Sequence, residues 1–147
     1  MSSREIENRK AWHDFTILES FEAGIALTGP EIKSIRAGQA NLKDSYAMIK
    51  GEELFLLNCH ISPYEQGSFS NSEPTRTRKL LVKKIEVKRF QGRLQEKGLT
   101  LIPLKIYFKK RWAKLQLGLA KPKKNFDKRE SIKKREQDRE LRRAMGK

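Results

Sequence analysis

The 27 residues from Lys121 to Lys147 constrain this chain most, because they cannot build a core. They hold twelve Lys or Arg, five Asp or Glu, and only five apolar side chains: Phe126, Ile132, Leu141, Ala144 and Met145. Those five do not recur at spacings of 3, 4 and 7, so a helix there carries no continuous apolar stripe. Compact structure must therefore come from residues 1–120, with 121–147 as a basic appendage. Asp127 and Glu130 suit a helix start, and Glu130–Lys134 and Asp138–Arg142 have i, i+4 spacing. Such pairs contribute only ~0.2–0.5 kcal/mol each, too little to hold a helix this short in water. The expectation is a tail disordered in isolation that gains helix when a polyanion answers its net +7.

The surplus is not confined to the tail. The whole chain carries +15, and residues 1–120 hold 21 basic against 13 acidic side chains. Nucleic acid is the first partner such a charge implies, and an anionic membrane surface the second. No run of 18 apolar residues exists to span a bilayer as a helix, and the polar start, Met1 to Asn8, is unlike a secretory signal. The one cysteine, Cys59, permits no internal disulfide and suits the cytoplasm.

Along residues 1–120 the patterning is mainly β with accessory helices. Residues 14–21 and 24–28 read as two strands joined at Glu22-Ala23-Gly24. Thr28 and Glu31 have capping-box spacing around Pro30, predicting a short helix with Ile32 and Ile35 on one side and Gly38 at its end. Strands are expected at 45–50 and 53–59, split by Gly51, and a loop over 62–75. A helix is expected from Thr75 to about Phe90, with Leu81 and Ile85 on one side. In 99–109, Ile102, Leu104, Ile106 and Phe108 share one face, and Pro103 argues for an edge or a bulge. Ala113, Leu115, Leu117 and Leu119 alternate with polar residues or glycine as a half-buried strand does. About six short strands in ~120 residues suggest a small closed barrel of the OB type, a scale that commonly binds RNA.

Evidence for catalysis is thin. Cys59-His60 invites a thiol–imidazole or metal reading, but neighbouring strand residues point to opposite faces. No second Cys, no H-x-x-x-H and no phosphate-binding glycine loop accompanies them, so neither a catalytic residue, a metal nor a cofactor is expected. Basic residues beside aromatics are more informative. Asn8 to His13, with Lys10 and Trp12, forms one patch; Lys33 and Arg36 form a second; Arg76, Arg78, Lys79, Lys83 and Lys84 form a third. Arg and Lys grip phosphates and exposed aromatics stack unpaired bases. Taken alone, each patch is more often just a solvated face; three of them together with the tail make a considerably stronger case.

Five strings then occur in order: Glu22-Ala-Gly-Ile-Ala-Leu-Thr-Gly-Pro-Glu-Ile-Lys-Ser-Ile-Arg36, Asn41-Leu-Lys-Asp-Ser-Tyr46, Arg78-Lys-Leu-Leu81, Lys97-Gly-Leu-Thr-Leu-Ile-Pro-Leu104 and Phe126-Asp-Lys-Arg129. Over about residues 6–143 the chain resembles the SmpB family, the SsrA-binding proteins of bacteria. The resemblance implies an OB-type barrel that binds the tRNA-like domain of tmRNA. It also implies delivery of alanyl-tmRNA, with elongation factor Tu and GTP, to the vacant A site of a stalled ribosome. The tail would then fold as a helix in the empty mRNA channel, near the decoding centre and small-subunit rRNA. No covalent chemistry is implied, and a monomer is expected. By the same resemblance Asn8, Lys10, His13, Glu31, Lys33, Arg36, Arg78 and Lys79 are candidate tmRNA contacts, Glu31 being equally a helix cap. Lys123, Lys124, Phe126, Asp127, Lys128, Arg129, Lys133 and Lys134 are candidate ribosome contacts. Pro122 stands where the family usually has Gly, Phe126 where Tyr is common, Lys83 where His is frequent, and Trp112 where Gly is common. The alternative is a general OB-fold single-stranded-RNA binder or ribosome-associated protein.

Overall fold

The computed structural model describes residues 5–64, 73–96, 98–123 and 139. The chain runs β1 (Ile6–Glu7), α1 (Arg9–Asp14), β2 (Phe15–Ile25), α2 (Gly29–Arg36), β3 (Ala40–Asn41), β4 (Tyr46–Lys50) and β5 (Glu53–Leu57). It continues through β6 (His60–Ile61), β7 (Arg78–Leu81), α3 (Lys84–Arg93), β8 (Thr100–Lys109) and β9 (Trp112–Pro122). Seven strands form one antiparallel sheet in the order β1-β8-β4-β5-β7-β2-β9, and β9 returns to pair with β8. Six strands thus close into a ring, while β1 lies beside Lys105–Ile106 in the middle of β8. Closure buries the edges that an open sheet would expose. Two register shifts, at Ile17/Glu19 in β2 and Pro103/Lys105 in β8, supply the bends that a small ring needs. Among the described residues no helix is long and apolar enough to cross a membrane.

The clearest alternation in the sequence is realised directly. Ala113, Leu115, Leu117 and Leu119 of β9 all enter the main core, the three leucines fully buried. β9 continues to Pro122, so the compact region runs past residue 120. Three expectations are corrected. First, β2 is one strand through Glu22-Ala23-Gly24, with no turn. Gly24 serves a close approach instead: a Cβ there would lie 3.2 Å from the Leu81 Cβ on neighbouring β7.

Second, the helix expected from Thr75 begins only at Lys84, because Arg78–Leu81 is strand β7, paired to β2 and β5. Tertiary pairing overrides local propensity here. Leu81 and Ile85 are exposed, whereas Val87 and Phe90 are the buried side of α3, Phe90 stacking on Phe21 at 3.9 Å between ring centres. Third, the bulge after Pro103 divides the expected apolar face of β8. Ile102 and Leu104 join Ala11 and Ala120 in a small outer cluster, while Leu101 and Ile106 enter the main core with Phe108 against it.

Candidate nucleic-acid interface

α2 is held by a buried ionic knot. Thr28 caps the helix, its hydroxyl accepting from the Glu31 amide at 3.4 Å, while the Thr28 amide donates to Glu31 Oε1 at 2.9 Å. The same carboxylate accepts from Arg76 Nη2 at 2.6 Å and Arg78 Nε at 2.8 Å. Arg78 also donates to the carbonyls of Cys59, Arg76 and Pro74, and it is fully buried. Burial pushes the Glu31 carboxyl up, but hydrogen bonds from Arg76, the Thr28 amide and Arg78 outweigh it and hold the group below its ordinary 4.5. The knot ties α2 to the segment entering β7. It leaves Lys33 and Arg36 on the exposed side, Lys33 Nζ 5.4 Å from the Tyr64 ring centre and Arg36 4.6 Å from that of Phe108.

α1 is pinned at both ends. Asn8 caps it by accepting from the Ala11 amide at 3.3 Å, donates through Nδ2 to the Pro103 carbonyl at 2.8 Å, and is buried. At the other end the Lys123 amide donates to the Asp14 carbonyl at 2.9 Å, and Lys123 Nζ to the Trp12 carbonyl at 3.1 Å. The root of the tail therefore starts against α1. Lys10 pairs with Asp44 at 3.4 Å and His13 Nδ1 with Asp14 at 2.8 Å.

Sequence reasoning missed a third feature. An open groove of about 560 Å³ runs between β2, β5, β7, β9 and the start of α3; Lys79, Lys83, Lys84 and Lys114 line it together with Glu22, Glu52, Glu53 and Glu86, Lys79 pairing with Glu53 at 3.4 Å. Leu81 is 54% exposed within it, an apolar contact framed by charges of both signs. Glu22 is oriented by the Tyr107 hydroxyl, which donates to it, and lies 3.8 Å from Lys109. Burial, then the hydrogen bond to Glu22 and its charge, raise the Tyr107 phenol. Reading 75–90 as one helix concealed the groove. Outward Lys79 and Lys114, at alternate strand positions, were its only sequence signal.

Nothing at Cys59 resembles a nucleophile: it is fully buried, and burial pushes its thiol up to about 11. Among the described residues no group of three or more His, Cys, Asp or Glu is placed to hold a metal ion. Outward cations beside apolar and aromatic surface on a closed ring suit RNA phosphates and bases.

A family described as SmpB protein matches residues 5–147. The chain belongs to the SmpB family. It is 60% identical over 139 residues to the SsrA-binding protein of Carboxydothermus hydrogenoformans, covering 95% of this chain and 93% of that one. It is 58% identical over 135 residues to the SsrA-binding protein of Syntrophobacter fumaroxidans, covering 92% and 84%. A solved chain described as "tmRNA-SmpB: a journey to the center of the bacterial ribosome" matches with a TM-score of 0.71 and 53% identity, over 82% of this chain and 85% of that one.

In this SmpB-family chain the candidate contacts divide. Lys10, Lys33, Arg36 and Lys79 present exposed cations, and His13 is part-exposed at the end of α1. Arg78 is corrected: its guanidinium is spent on protein acceptors in the interior and cannot meet a phosphate on the folded surface. Glu31 takes the cap reading and Asn8 is likewise a cap, both buried. Lys123 is engaged with α1. Lys124, Phe126, Asp127, Lys128, Arg129, Lys133 and Lys134 lie outside the described residues.

Proposed function

We propose that this SmpB-family protein is the tmRNA adaptor of trans-translation. It binds the tRNA-like domain of tmRNA and helps deliver alanyl-tmRNA, with elongation factor Tu and GTP, to the vacant A site of a stalled ribosome. Its tail then occupies the empty mRNA channel, with Asp127, Lys128 and Arg129 acting there. It works as a cytoplasmic monomer and makes or breaks no covalent bond. The observation that carries this reading is near-full-length identity of 55–60% to proteins named SsrA-binding protein, supported by the match to a solved tmRNA-SmpB chain. We read the ring as an OB-type barrel, a scaffold on which rigid strands and helices fix the spacing of phosphate-binding cations. On it, Lys33 and Arg36 of α2 and the groove bounded by Lys79, Lys83, Lys84 and Lys114 are the tmRNA-facing cations. Lys10 and His13 of α1 belong to the same tmRNA-facing set, and the tail, rooted beside α1, faces the ribosome.

Binding of the full chain to the tRNA-like domain, with excess unstructured RNA and at several salt concentrations, tests this. Competitor-resistant binding is expected. Lys33→Ala and Arg36→Ala should each flatten the salt dependence by about 0.7–0.9 of slope, the value of one phosphate contact. Equal displacement by unstructured RNA would leave a general single-strand binder instead.

A further inference from the structure

Trp12 stands out on α1. It is 55% exposed on a six-residue helix whose neighbour Ala11 is buried, so the outward indole is not a failure to pack. The helix beneath it is fixed: Asn8 is bonded to Pro103 and Leu104, Ala11 sits against Ile102 and Leu104, and Lys123 grips the Trp12 carbonyl. A large apolar ring carried on a fixed helix leaves no backbone entropy to be lost when something covers it.

Beside the indole lies a hollow of about 230 Å³, lined by Trp12, Glu7, Arg9, Leu104, Lys105 and Gln116. Arg9 is almost fully exposed and only loosely paired, 3.9 Å from Glu7, and Lys105 Nζ stands 3.9 Å from Glu5 and 5.3 Å from the Tyr107 ring centre. An indole face for stacking, two cations at phosphate reach, and amide and carboxylate edges for hydrogen bonding fit one unpaired nucleotide. Arg9, its side chain 93% exposed with its nearest carboxylate only at 3.9 Å, leaves a cation open at the rim, so a phosphate-bearing ligand suits the hollow better than an apolar peptide.

From this arrangement we propose that α1, β1 and the middle of β8 and β9 form a single-nucleotide subsite, with an extruded RNA base stacked on Trp12 and its phosphate held by Arg9 and Lys105. The subsite deepens the RNA-binding reading above and rests on it.

The test uses full-length protein carrying Trp112→Phe, so that emission reports Trp12 alone; Trp112 is 70% exposed and its replacement leaves the core untouched. An unstructured hexaribonucleotide is titrated, with binding followed by anisotropy of a labelled copy and Trp12 emission followed with an unlabelled one. Stacking predicts that emission falls with the same midpoint as binding. Trp12→Ala should weaken the hexamer by about fivefold to a hundredfold, the usual span for losing one stacked base, while Trp12→Phe retains most of the affinity. Arg9→Gln and Lys105→Gln should each flatten the salt slope. Binding with unchanged emission, or Trp12→Ala binding as tightly as the parent, overturns the subsite. Binding of the tRNA-like domain without any hexamer binding also overturns it and leaves the adaptor reading standing. Failure to bind either RNA overturns both. Where the hexamer quenches, quenching by the tRNA-like domain assigns the nucleotide to tmRNA, and quenching only by small ribosomal subunits assigns it to rRNA.

Discussion

Replacing Arg78 by Ala separates a surface cation from an internal one. Arg78 has no exposed surface, and its guanidinium meets Glu31 at 2.7 Å and 2.8 Å and the Cys59 carbonyl at 2.7 Å. Removing one member of a buried ion pair costs about 3–5 kcal/mol, because the other charge is left without compensation. Glu31 keeps Arg76 and the Thr28 amide, and the Pro74 carbonyl keeps the Ile61 amide, which pulls the figure toward the lower end. The Cys59 carbonyl loses a close donor, adding about 1 kcal/mol or more. A net loss of about 3–4 kcal/mol in a domain of this size lowers the melting temperature by roughly 10–20 °C. Arg78→Lys should recover only part, since an ammonium cannot reproduce the fork that meets Glu31 and three carbonyls. The assay is thermal denaturation alongside RNA binding measured well below the transition, where the variant is folded. Affinity should then stay within about twofold. A melting temperature within about 2 °C of the parent, combined with more than tenfold weaker RNA binding, would refute the burial argument and return Arg78 to the RNA surface.

Three further outcomes follow from the same contacts. Glu31 has a folded-state pKa below its ordinary 4.5, so its stabilisation is fully present above that value and is lost as pH falls through the folded value. Glu31→Gln should lower stability at neutral pH and shrink the loss seen on acidification from pH 5 downward, checked by urea denaturation across pH. At Gly118 a Cβ would stand 3.1 Å from both Ile17 Cγ2 and Leu104 Cδ1 in the outer cluster; Gly118→Ala should cost about 1–3 kcal/mol by overpacking, measured by urea denaturation. Ending the chain after Lys123, which spares its contacts with α1, should keep tmRNA affinity within about tenfold (~1.4 kcal/mol) while abolishing tagging of stalled peptides in a reconstituted translation assay.

What the sequence disclosed was what local periodicity and capping encode. The β9 alternation, the Thr28–Glu31 box and the Gly51 break between β4 and β5 each depend on residues a few positions apart, and each appears as expected. The errors lie where distant partners decide. Arg78-Lys79-Leu80-Leu81 has no strand signature of its own and becomes β7 because two neighbouring strands have edges to fill. Its consequence is structural: as a strand rather than a helix, these four residues send Arg78 and Leu80 inward and Lys79 and Leu81 outward, which builds the groove. Pro103 announced the bulge, but not that the bulge would exchange the faces of β8 on either side of it.

Charge patterning misled in one specific way. A buried guanidinium is expensive, so patterning alone places every basic patch on the surface, yet Arg78 is solvated from within by a carboxylate 47 positions away and by three carbonyls. The knot also explains why Glu31 sits among cations in the string Gly29-Pro-Glu-Ile-Lys33. It offsets one of the two charges of Arg76 and Arg78 and accepts from both, so the segment entering β7 can pack beneath α2, while Lys33 and Arg36 stay outward. Removing Glu31 should therefore cost stability while leaving RNA affinity, measured well below the transition, within about twofold, as for Arg78→Ala. Arg76→Ala, which leaves Arg78 in place, should cost a smaller share of that stability.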